Sequence, residues 1–288
     1  MLKLAILIVT IMTLSSRNMV FKAGIVFSFA VLAFLLLASY TALPFYPELQ
    51  RTATSRSLGF LAAVNVRVLA PASLVPYITV ITAVLYALVT TVFIFYHFEK
   101  TQSPEILFIA FFALSFAFEA ARIMPPLRMA LELPGAFLNL AQRFLLFGRY
   151  FGIFSIFTAS VCAAGLELQS QRSAILIITL SALVIALGIP IDYFSWDSSF
   201  SMITGYSRMF TFVETALTLI TAISFIIAAQ TRSSREYIFI GGGVFLALLG
   251  RGMVLRADTW IMLPPGLVCL ILGTLFICSK LRQVYLWL

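Results

Sequence analysis

The chain has 288 residues, of which 62% are hydrophobic and only 10% charged, against about 45–50% and about 25% in ordinary soluble domains. This composition excludes a water-soluble globular fold of this size, because too few polar side chains remain to cover the apolar ones. The net charge of +8 does not point to nucleic acid, since the lysines and arginines stand singly between apolar runs and form no basic block; they read as flanking charges that meet membrane lipid headgroups.

A hydrocarbon core about 30 Å thick takes roughly 20 apolar residues per helix, which leaves room in this chain for about seven to nine spans. Runs free of charge mark eight, expected near 20–42, 75–97, 105–124, 146–166, 173–192, 209–230, 236–254 and 260–280. The predicted fold is therefore all-α, a polytopic transmembrane helical bundle of about eight spans. Prolines punctuate it: Pro44 and Pro47 follow the first span, Pro125 and Pro126 follow the third, and Pro264 and Pro265 open the eighth. Gly188 and Pro190 predict a bent outer end on the fifth span, with Asp192 as its terminator.

Ahead of the first span, Leu2 to Leu14 is apolar but too short to cross. It resembles the central region of a signal peptide without a convincing cleavage site, so 1–18 is read as a short interfacial segment and 19–288 as one transmembrane domain. A reading frame that starts at Met19 is the alternative. Short interfacial helices are predicted in the first and third connections. In the first, Leu58, Phe60, Leu61, Val64 and Leu69 can line one side of a helix lying on the membrane; in the third, Leu127, Leu131, Phe137 and Leu138 do the same. No repeat is visible, and the chain ends eight residues past Lys280, so no soluble output domain is expected.

Call face A the side of Arg17 and Lys22, and face B the opposite one. All four lysines fall on face A (Lys3, Lys22, Lys100, Lys280), whereas every basic residue on face B is an arginine. Lysine is a strongly hydrated point charge, while arginine forms planar pairs and tolerates partial burial. Paired and buried arginines drop out of the loop count, which makes face A the cytoplasmic side and puts both termini there.

Length arithmetic supplies the main functional clue. The runs Ile106–Phe118, Tyr150–Leu166, Thr215–Thr231 and Tyr237–Gly250 hold 13, 17, 17 and 14 residues, so reaching roughly 20 requires charged neighbours inside the span. Those neighbours lie toward face B. Glu119 and Arg122, three apart, share one side of the third helix and can pair. Arg149, Arg208, Glu214 and Arg251 follow on later helices, and Glu214 needs a partner from another helix because Arg208 faces elsewhere. Together with Asp192 these residues predict a polar vestibule, with Tyr150, Tyr193, Trp196, Tyr206 and Trp260 nearby. Face A shows no matching charges within its spans. Small residues predict close helix packing along Ser155, Ala159 and Ala163, and along Gly243 and Ala247.

Several chemistries lack their residues. His97 is the only histidine, which opposes serine-type triads and multi-histidine metal sites, and Cys162, Cys269 and Cys278 show no metal-ligand spacing. No nucleotide-binding or metalloprotease motif occurs. No cofactor, metal or catalytic residue is expected, although Glu119 or Glu214 could act as an acid or base. Intramembrane ionisable groups mark ligand or ion pathways. The expectation is a receptor-like module that binds a small, anionic ligand at face B and signals through a partner membrane protein. The alternatives are a small secondary transporter and an accessory subunit of a membrane complex.

Overall fold

The computed structural model describes residues 14–45, 74–101, 103–165, 171–232 and 234–286. Among them are eight helices long and apolar enough to cross a membrane. Helix α1 is Leu14–Ala42 and closes with a 3-10 turn, Leu43–Phe45; α2 is Leu74–Phe98. Helix α3, Pro104–Leu131, changes character twice: Pro104–Leu114 is α-helical, Ser115–Ile123 is 3-10, and Met124–Leu131 is α-helical again. The remainder are α4 (Ala136–Ala163), α5 (Gln171–Gly188), α6 (Ser207–Thr231), α7 (Glu236–Leu255) and α8 (Leu263–Leu286). A two-stranded antiparallel hairpin, β1 (Ile191–Trp196) and β2 (Met202–Thr204), joins α5 to α6.

The expected helices are present among the described residues, with four local differences. Helix α1 covers Leu14–Ala42, so residues 14–18 are helical and continuous with the first apolar run; residues 1–13 lie outside the described residues. Arg17 can enter this helix because its guanidinium donates to the carbonyl oxygens of Phe98 (2.8 Å) and Glu99 (2.9 Å), the acceptors left open at the end of α2. The interfacial helix expected over the first connection lies outside the described residues. In the third connection the α-helical stretch Met124–Leu131 runs on continuously from α3, and α4 starts at Ala136. Pro125 and Pro126 do not stop α3, because they occupy the first turn of its second α-helical stretch, where a proline loses no backbone bond.

The fourth difference is the hairpin. Pro190 ends α5 after Gly188, so Asp192 lies in β1 and not at a helix terminus. The β-branched and aromatic run Ile191–Trp196 suits an extended strand. Asp197 folds the turn: its carboxylate accepts from the Ser199 amide (3.0 Å), the Ser199 hydroxyl (2.7 Å) and the Ser201 amide (3.0 Å). Removing those acceptors with Asp197→Ala should speed hydrogen exchange across 198–204 by at least tenfold and leave the helices unchanged; hydrogen-exchange mass spectrometry checks this.

Neighbouring helices close a ring in the order α4, α6, α7, α8, α2, α3 and back to α4, with α1 packed on α2 and α3, and α5 packed on α4. Helix α3 is the most enclosed. Phe108, Phe112 and Phe116 are fully buried along it, and Tyr86 of α2 stacks edge-on against Phe116 while its hydroxyl reaches Thr274 of α8 at 2.6 Å. The outward faces stay apolar: Leu37, Val184 and Phe212 are 77%, 68% and 74% exposed. Ser155, Ala159 and Ala163 are all buried on α4, as their spacing predicts. The tightest pair is α7 with α8, where Gly243, Ala247 and Gly250 face Gly266, Leu270 and Gly273 backbone to backbone.

Candidate functional site

Glycine sets the site. A Cβ added at Gly148 would collide with the Phe118 side chain, and one at Gly152 with the Ser115 hydroxyl. This close approach of α4 to the 3-10 stretch of α3 brings Arg149, next to Gly148, against Glu119. The 3-10 geometry contributes on the other side. Side chains three apart eclipse in such a helix, so Phe116, Glu119 and Arg122 form one ridge.

The Glu119 carboxylate is 2% exposed and receives two arginines. Arg149 meets it as a fork, Nε to Oε1 at 2.9 Å and Nη2 to Oε2 at 3.1 Å, and Arg122 Nη1 stands 3.5 Å from Oε2. Parallel N–H donors matched to two carboxylate oxygens make the strongest kind of side-chain ion pair. Arg251 reaches in from α7 and donates to the Arg149 carbonyl oxygen at 2.8 Å, which ties a third helix to the cluster. Arg122 also donates through Nε, at 2.8 Å, and through Nη2 to the carbonyl oxygen of Ser199 in the hairpin turn. Arg122 and Arg251 are 1% and 6% exposed and the Arg149 side chain 20%, so the network beneath the hairpin is open only at Arg149.

The seven residues singled out in the sequence therefore separate. Glu119, Arg122, Arg149 and Arg251 converge. Glu214 is peripheral: it lies within electrostatic reach of Arg149 and Arg251 and makes a long ion pair with Arg256, at 3.7 Å. Its partner comes from beyond another helix, as its distance in rotation from Arg208 requires. Asp192 and Arg208 do not join. Asp192 is exposed on β1, where it accepts from the Ser195 hydroxyl at 2.5 Å, because α5 stops before it. Arg208 is exposed in the first turn of α6.

Three contributors were missed from sequence. Gln142 clamps β2 by accepting from the Met202 amide and donating to its carbonyl oxygen, both at 3.4 Å. Arg143 caps α5 by donating to the carbonyl oxygens of Ala186, Leu187 and Ile189 at 2.6–2.8 Å. Both resemble ordinary flanking residues until the hairpin is in place. The third is a second buried charge cluster at the opposite end, which corrects the expectation that face A holds none. Glu105, in the first turn of α3, is 1% exposed. It accepts from the Ser103 hydroxyl and from Tyr285 of α8 at 2.7 Å, with Arg232 Nη2 at 3.5 Å. Arg232 in turn reaches Tyr237 (2.9 Å) and the Cys162 carbonyl oxygen (3.1 Å). The signal available was Glu105 immediately before a charge-free run.

Beside the face B network lies a cavity of about 430 Å³ lined by Pro125, Arg128, Met129, Glu132, Leu133, Leu138 and Trp196. That volume suits a small molecule. Its walls continue directly into the network: Pro125 is three residues after Arg122 on α3, and Trp196 is three residues before Ser199 in the hairpin. Among the described residues, no three of His, Cys, Asp or Glu gather closely enough to hold a metal ion. The sequence matches no family model, and no curated protein matches it at a significant level.

Proposed function

We propose that this protein is an integral membrane protein of the cell membrane, with the A ends of its helices cytoplasmic, and that it acts as a receptor-like module binding a small ligand at the non-cytoplasmic face. Eight apolar helices with large apolar side chains turned outward support the membrane placement. The lysines gathered at the A ends support the orientation.

The observation that carries the receptor reading is the continuity between the cavity and the buried charges. A ligand pressing on Trp196 moves the hairpin turn, and Ser199 is where Arg122 is held. Arg122 and Glu119 lie on the 3-10 stretch, whose nine residues span about 18 Å at 2.0 Å per residue and would shorten to about 13.5 Å as α-helix. Such a stretch is a two-state element inside the bundle's central helix, able to pass a change to the cytoplasmic end and to a partner membrane protein.

The transporter reading gains one feature, the buried Glu105 cluster at the opposite end. Residues 106–118 between Glu105 and Glu119 contain no ionisable side chain, and the phenylalanines there are packed shut. A sensor needs no path through that layer, whereas a transporter does.

In nanodiscs, Trp196→Ala should raise hydrogen exchange both in 191–204 and in 115–123, by at least threefold in the latter. A variant that loosens the hairpin while 115–123 stays unchanged would refute coupling between cavity and network.

A further inference from the structure

We infer that the cavity beside Trp196 takes a zwitterion carrying an ammonium group and an oxyanion about one helical turn apart, the chemistry shared by phosphocholine and phosphoethanolamine. The inference rests on the receptor reading above and specifies the ligand of that same site.

Two opposite charges line the cavity without neutralising each other. Arg128 and Glu132 are four residues apart on the last turn of α3, about 6 Å along the axis, yet they form no ion pair. Arg128 Nε donates instead to the Leu133 carbonyl oxygen at 3.1 Å, which leaves the outer guanidinium nitrogens as the cavity's cationic donors. A guanidinium held this way suits a phosphate or carboxylate oxygen pair.

Glu132 is the second observation. It ends the helix in the left-handed region, at φ 51° and ψ 37°, with its N–H bonded to the Arg128 carbonyl oxygen. Glycine is the usual occupant of that position, because any Cβ there is strained. A carboxylate kept where glycine would be easier is explained by what the side chain does. Trp196 lines the same cavity; tryptophan is the aromatic side chain that attracts cations best, and quaternary ammonium groups are commonly bound on aromatic faces. Pro125, Met129, Leu133 and Leu138 supply an apolar floor for the carbon skeleton that links the two charges.

The ligand can arrive from solution or as the headgroup of a bilayer lipid, and the test separates the sources. In dodecyl maltoside, saturating phosphocholine should raise the unfolding temperature by about 5 °C. Glu132→Gly and Arg128→Gln should each abolish the shift. Glu132→Gly removes the strained conformation, so its own unfolding temperature should equal or exceed that of the parent, which separates lost binding from lost folding. A lipid source predicts instead no response to soluble phosphocholine, but higher stability in phosphatidylcholine nanodiscs than in phosphatidylglycerol nanodiscs, again lost in both variants. An equal shift from inorganic phosphate or tetramethylammonium alone would overturn the zwitterion and leave the receptor reading in place. No response to either source would overturn the inference. The receptor reading itself stands or falls on the separate exchange measurement at 115–123.

Discussion

Replacing Glu119 by alanine is expected to cost about 3–5 kcal/mol of stability, the loss typical when one partner of a buried ion pair is removed. The reason is what remains. Arg122 is almost completely buried, Arg149 is 20% exposed at its side chain, and Arg251 is close behind. Without the carboxylate these cations face one another across α3, α4 and α7 in a poorly hydrated interior. Glu119→Gln keeps a hydrogen-bond acceptor but not the charge, so its loss should be smaller. Removing both ends of the fork, with Glu119→Leu and Arg149→Met together, should recover part of the cost, because packed apolar side chains often replace a buried pair at little penalty. Unfolding in mild detergent followed by circular dichroism measures these variants together with the singles Glu119→Leu and Arg149→Met. If the double variant were as unstable as the sum of its singles, the two residues would not form an energetic pair.

The second large effect is expected from Gly250→Val on α7. A Cβ at this position would sit against the backbone nitrogen of Leu270 and 2.7 Å from the Gly266 carbonyl oxygen on α8. Backbone cannot rotate aside as a side chain can, so the helices must separate. The expected loss is about 3 kcal/mol, the upper end for overpacking a well-filled interior, and it propagates through Gly273, whose added Cβ would lie 2.6 Å from the Ala247 nitrogen. Gly242→Ala, on the same helix but with nothing within 4 Å, is the control and should gain about 1 kcal/mol from helix propensity. Equal behaviour of the two variants in thermal unfolding would show that α7 and α8 do not pack through these glycines.

Much of the site was legible before folding, and for one reason. Four apolar runs were too short to cross a membrane alone, and their missing length had to come from Glu119, Arg122, Arg149, Glu214 and Arg251. Arg122 and Arg149 meet the Glu119 carboxylate, and Arg251 joins them through the Arg149 carbonyl oxygen. Asp192 and Arg208 were placed instead by helix ends, which locate a charge along the axis but not around it, and neither joins the cluster. Pro190 moved Asp192 into a strand, and Arg208 stays exposed in the first turn of α6. Glu105 was passed over because a charge at the edge of a run looks like a flanking one; only α8, bringing Tyr285, and α6, bringing Arg232, make it a buried one.

Hydrophobicity is a local property that accumulates along the chain, so the sequence alone determined the eight long apolar helices found among the described residues, their approximate limits and the all-α class. Pairing is not local. The Arg149 fork on Glu119 joins residues 30 apart, and the Arg251 bond to Arg149 joins residues 102 apart. Those distances depend on which helices are neighbours and how each is rotated, and here glycine contacts at Gly148, Gly152, Gly250 and Gly273 decide both. Only the tertiary structure therefore determined that the face B charges close on one another beneath a hairpin, and that the accessible space lies beside them, between Arg128, Glu132 and Trp196.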